Sequence, residues 1–142
     1  MNKTKYLTAI ILVPFIWACS SEPEPNLELS NPEAFSFDLG DNWEVNASVG
    51  ARGFSQKEED DNYTVNLSYS VDLVTPSSDT LASVYNEIVD ETDTEKFMDF
   101  ILEAQIEIES TFGQGDYTLI FNVKDELSGQ KKSMTVDFKL SK

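Results

Sequence analysis

The side chains of this chain that could do chemistry are carboxylates and almost nothing else. Glu58, Glu59, Asp60 and Asp61 form one run, and Asp90, Glu91, Asp93 and Glu95 another. Carboxylates on flexible loops suit Ca²⁺, which takes roughly six to eight oxygen ligands. Both runs are therefore candidate metal ligands if the fold brings their loops together, although neither has EF-hand spacing. Paired carboxylates are also the residue types of glycoside hydrolysis. That chemistry needs a cleft, and a small domain without inserted loops does not supply one. There is no histidine, which removes Ser-His-Asp and Cys-His catalysis and imidazole zinc sites. The expectation is a chain without enzymatic activity and with no cofactor other than a loop-bound Ca²⁺.

The single thiol, Cys19, sits at the end of a segment with its own logic. Lys3 and Lys5 form a short positive region, Tyr6 to Trp17 is an apolar run broken by Thr8 and Pro14, and the small residue Ala18 precedes Cys19. This is the layout of a secretory signal peptide, too short for a span of about 20 apolar residues. Residues 1–18 are read as the leader. Ser20 to Pro32 holds Pro23, Pro25 and Pro32 among Ser, Glu and Asn, so residues 19–33 read as a solvated tether. Extended, that tether would reach about 40 Å.

From residue 34 onward the dominant period is two, the mark of half-buried strands. Tyr63, Val65, Leu67, Tyr69, Val71 and Leu73 alternate with polar residues, and Trp43, Val45, Ala47 and Val49 do the same. The polar QKEEDDN between them predicts a long hairpin. Tyr117 to Val123 and Met134 to Leu140 predict a second hairpin around Gly129, which supplies a positive φ. Phe35 and Phe37 are in phase in a short first strand from Ala34 to Leu39. Phe100 to Ile108 alternates too. Leu81, Val84, Tyr85 and Ile88 have helical spacing, but β-branched neighbours favour a strand or an irregular crossing. About seven strands in residues 34–142 predict an all-β, antiparallel sandwich.

Two resemblances sharpen this. Ile16-Trp17-Ala18-Cys19 resembles a bacterial lipobox, and Ser20-Ser21-Glu22-Pro23-Glu24 resembles the acidic export signal of Bacteroidetes surface lipoproteins. The resemblance implies cleavage after Ala18 and a lipid on Cys19, hence a membrane anchor at the bacterial outer membrane and exposure at the cell surface. Trp17 departs from the small residue usual at its place. Gly115-Asp116-Tyr117-Thr118-Leu119 resembles the tyrosine corner of immunoglobulin-like domains, which implies an Ig-like (fibronectin-like) sandwich with Tyr117 fixing the corner. Leu119 stands where antibody domains carry Cys, so apolar packing replaces the disulfide. Asp79-Thr80-Leu81 resembles the O-glycosylation triplet of Bacteroidetes secreted proteins, with Thr80 the acceptor.

The formal charge of −16 becomes more negative when Lys3 and Lys5 leave with the leader. Nucleic acid is excluded as a partner on that ground. The expected function is a binding or accessory module of the cell envelope whose ligand is a protein or a glycan. Two alternatives stand beside it. One is a glycan-binding module using exposed Trp43 or Phe54, with Phe97 and Phe112 the other aromatic candidates. The other is a Ca²⁺-stabilised adhesion or spacer domain, which requires the two acidic runs to converge.

Overall fold

The computed structural model describes residues 24–142. Ala18, Cys19 and the leader lie outside the described residues. Among the described residues, eight antiparallel strands form two sheets: β1 (Glu28–Asp38), β2 (Asn42–Arg52), β3 (Lys57–Glu59), β4 (Asn62–Val74), β5 (Thr80–Asp93), β6 (Asp99–Glu109), β7 (Gly115–Asp125) and β8 (Lys131–Leu140). Sheet A has the order β1-β2-β6. In sheet B, β4 pairs with β5 on one side and with β7 on the other; β8 follows β7, and the short β3 also pairs with β4. The expected all-β antiparallel sandwich is what the chain forms, with β3 as an additional short strand.

The alternating residues explain the core. Val45, Val49, Leu102 and Ile106 of sheet A meet Val65, Leu67, Phe121 and Leu119 of sheet B, all buried. Each strand contributes its apolar phase, and β-branched and aromatic residues fit that pleated, half-buried surface. On one side the sandwich is closed where β1 approaches β8, and the Ser36 hydroxyl donates to the Lys139 carbonyl at 2.6 Å. At the far end of β7 the Tyr117 hydroxyl donates to the Gly113 carbonyl at 2.7 Å, the upstream backbone bond of a tyrosine corner.

The predicted hairpin around Gly129 is present as β7–β8, with Gly129 at φ 76°. The other predicted hairpin is not. β2 pairs with β1 and β6, whereas β4 lies in the opposite sheet. Residues 53–56 carry the chain across the core, with Phe54 buried on the way. Alternation reads the same for strands that pair and for strands that face each other, so it could not separate these cases. The QKEEDDN segment is instead a tight β3–β4 turn, with Asp60 and Asp61 both at positive φ (50° and 61°), the backbone of a two-residue hairpin.

β1 begins at Glu28, inside the stretch read as tether, because Leu27 ahead of it is fully buried. The Gln130 side chain grips this entry. Its amide donates to the Pro25 carbonyl at 2.5 Å and its oxygen accepts from the Leu27 N–H at 2.8 Å. Residues 80–93 are strand throughout, and their helical-looking spacing has a local cause. Ser83 has φ 54°, its N–H donates to Asp72 Oδ1 at 2.8 Å, and the register with β4 shifts between Val71 and Leu73. The extra residues at this bulge reset the phase, so Leu81 and Tyr85 are four apart along the chain but face neighbouring partners.

Candidate functional site

The side opposite the β1–β8 contact is open. There β5, the edge strand of sheet B, pairs with β4, overhangs the edge strand β6 with only marginal contact to it and stays largely exposed on both faces. The overhang is pinned by tyrosines. Tyr69, on the inner face of β4, places its hydroxyl 2.8 Å from Glu87 Oε2 on β5 and 2.6 Å from the Glu103 carbonyl on β6. Tyr85 donates to the same Glu87 oxygen at 2.6 Å. One Tyr69 proton thus serves two acceptors at the junction of the sheets. The hydrogen bond from Tyr85, then that from Tyr69, holds the Glu87 carboxyl below its ordinary value. Burial, followed by the Glu87 contact, pushes the Tyr69 phenol well above its own. Tyr69 therefore stays a proton donor and Glu87 stays charged at neutral pH. Tyr69→Phe is expected to cost about 1.5–3 kcal/mol, the range for a hydrogen bond to a charged group. Urea denaturation would measure it, and a loss below about 0.5 kcal/mol would show that the hydroxyl does not tie the sheets.

From this junction a groove of about 530 Å³ runs over β6 and β2 to β1. Tyr85 and Glu87 form one rim and Phe35 the other, and Asn46, Ser48 and Gln105 line the floor. The register explains the floor, since Phe35, Asn46 and Gln105 are direct partners across the sheet, as are Glu33, Ser48 and Glu103 in the next row. Asn46 donates to Glu44 at 2.9 Å. Among the described residues, no side-chain hydrogen bond or ion pair engages Glu33, Ser48, Glu103 or Gln105.

Phe35 and Phe37 share one phase of β1, as their alternation predicts. They lie outside: Phe35 and Phe37 are 60% and 51% exposed on the outer face of sheet A, with the exposed Leu39 just past the strand end, while Ala34 and Ser36 point inward. The small Ala34 and Ser36 take the inward phase beside Ala47 and Val45, where β1 closes against β8. Exposed aromatic residues beside an unengaged amide, Gln105, and the unengaged carboxylates of Glu33 and Glu103 are the kind of surface that marks a binding face.

The other candidate residues are placed differently. Trp43 and Phe54 are buried, and Phe97 and Phe112 pack partly buried against the core. The expected sugar platform of Trp43 or Phe54 is thereby corrected. Asp90, Glu91 and Asp93 lie on strand β5, not on a loop. They come to the same end of sheet B as Glu58, Glu59, Asp60 and Asp61, but β4 runs between. Tyr63 pairs with Glu58 on one side and Asp93 on the other, two strand spacings or about 9.6 Å across. Its ring stands in the gap with the Lys96 ammonium 5.3 Å from the ring centroid. Glu59 is bound to Lys57 at 2.6 Å. Among the described residues no group of three or more acidic, His or Cys side chains could hold a metal ion. Thr80 is exposed at the start of β5. The Asp125 carboxylate, which the sequence reading passed over inside the β7–β8 turn, is fully buried.

Fold and surface together define a β-sandwich with a shallow groove on the outer face of its three-stranded sheet. No family model matches the chain, and no curated protein matches it. Among solved structures, one similar chain is the "X-ray structure of Northeast Structural Genomics Consortium target SoR45". It is 10% identical with a TM-score of 0.40, over 82% of this chain and 84% of that one.

Proposed function

We propose that the protein is a non-catalytic binding module of the bacterial cell envelope, lipid-anchored through Cys19, with the outer face of sheet A as its ligand surface. The observation that carries this is the exposed pair Phe35 and Phe37 beside the unengaged side chains of Glu33, Ser48, Glu103 and Gln105 in the groove. The strands supply the rigid frame and the ligand needs no catalytic group.

The anchor sets the geometry. Pro25 and Leu27 are held by Gln130 and the Asn26 N–H by the Gly53 carbonyl at 2.8 Å. Only residues 20–24 then separate the lipid from the domain, a reach of about 15–20 Å. The acidic β3–β4 turn shares that end, and an anionic membrane would repel it, which favours a domain standing off the surface with its sheet faces accessible.

Phe35→Ala should leave stability within about 0.5 kcal/mol, since the ring is mostly exposed, and abolish capture of the natural ligand from envelope extracts. Pull-down with the full chain, beside urea denaturation of the same variant, measures both. Capture unchanged in Phe35→Ala and in Phe37→Ala would remove the groove from the function.

A further inference from the structure

Groove charge narrows the ligand. Three carboxylates, Glu33, Glu87 and Glu103, line it, and among the described residues no Lys or Arg does. Glu44 and Glu107 continue the same outer face beside Phe37, in register with each other. Phosphates, sulfates and uronic acids are excluded by repulsion. A neutral ligand lying across the floor would strip water from Glu33 and Glu103 and leave them unpaired, which costs free energy that sugar hydroxyls only partly restore. A cation removes that penalty and adds attraction to the two aromatic rims, because ammonium and guanidinium groups favour aromatic faces.

We propose that the groove takes the ammonium or guanidinium side chains of a basic, extended segment of a partner protein. This rests on the reading of sheet A as the ligand surface and names the chemistry it selects. A protein segment fits better than a small amine because the exposed Phe35 and Phe37 continue from the carboxylates along β1, with Leu39 just past the strand end. Cationic and aliphatic side chains on one strand would meet both. A second copy of this chain is disfavoured by its charge of −16.

The bland alternative is that any cation binds wherever acid is densest, and the molecule contains its own control. Glu58 to Asp61 and Asp90 to Asp93 form an acidic patch at the end of sheet B, away from the groove. The experiment is an NMR titration of the ¹⁵N-labelled full chain in neutral detergent with tetralysine, cellohexaose and trigalacturonate. The expected result is tetralysine shifts centred on Phe35, Ser48, Tyr85 and Gln105. Affinity should fall about tenfold between roughly 20 and 200 mM salt, as screened ion pairs require. It should fall by a similar factor in the Glu33→Gln/Glu103→Gln variant and stay unchanged in Asp60→Asn/Asp61→Asn. Shifts centred on the β3–β4 turn, or affinity unchanged by Glu33→Gln/Glu103→Gln, would overturn the proposal. Groove shifts with cellohexaose and none with tetralysine would overturn the cation assignment and leave the groove as the ligand surface. No groove response to any probe would overturn both.

Discussion

Gly53→Ala is expected to be among the most damaging single changes in the domain, costing about 3–5 kcal/mol. Gly53 sits at φ 69° at the end of β2, where the chain leaves sheet A, and its carbonyl accepts the Asn26 N–H at 2.8 Å. A Cβ there would run into the Asn26 carbonyl, whose carbon lies 3.0 Å from the new atom. Backbone cannot swing aside as a side-chain tip can, so the entry segment must lift. Leu27, fully buried next in the chain, would leave the core with it. The positive φ adds about 1–2 kcal/mol of strain for any residue with a Cβ. The route through Leu27 is checkable by a cycle. Leu27→Ala alone should cost about 2–5 kcal/mol, and the double variant with Gly53→Ala should cost much less than the sum of the two. Full additivity in urea denaturation would mean that Gly53 acts through local strain alone.

Asp125→Ala is expected to cost about 3 kcal/mol, near 12 °C in Tm at roughly 4 °C per kcal/mol for a domain of this size. The buried carboxylate organises the β7–β8 turn and the crossing between sheets together. Oδ2 accepts the Ser55 N–H at 2.7 Å and the Ser128 hydroxyl at 2.7 Å, and Oδ1 accepts the Leu127 N–H at 3.0 Å. Its removal leaves the Ser55 N–H, part-buried at the crossing, without its acceptor, and an unsatisfied buried donor costs about 1–3 kcal/mol.

The pH dependence of this effect has a definite sign. Burial by itself would raise the Asp125 carboxyl, but the Ser55 N–H and the Ser128 hydroxyl outweigh it and hold the group below its ordinary 3.8. A carboxyl depressed on folding contributes stability fully above its unfolded value and loses it as pH falls through the folded one. The urea midpoints of wild type and Asp125→Ala should therefore be furthest apart at neutral pH. They should begin to approach below about pH 4. A gap constant from neutral pH down to pH 2 would show that packing and not the charge carries the effect.

Asp125 was not visible as special in the sequence. Among DELSGQKK it looks like any polar turn residue, and it is buried because Ser55, seventy positions earlier, crosses the core to meet it. Phe35 is the reverse case. Its alternation with Ala34 and Ser36 is plain, yet only the packing of β1 into the sandwich decides that the small residues go in and the phenylalanines out. The groove needs both facts and a third, the overhang of β5, which follows from sheet B being wider than sheet A on that side. No local pattern encodes a sheet's width.

The sequence by itself determined where the strands run, because period-two alternation is a property of each segment alone. It placed the Gly129 hairpin, since a tight turn needs its positive φ locally, and it ruled out imidazole catalysis through composition. Only the tertiary structure decided that β2 and β4 face each other across the core, that Leu27 belongs to the domain, and that the acidic runs are separated by β4 and Tyr63. Those outcomes depend on contacts between residues far apart in the chain. A two-residue repeat defines two faces for every strand, and only packing against the other sheet settles which of them is buried.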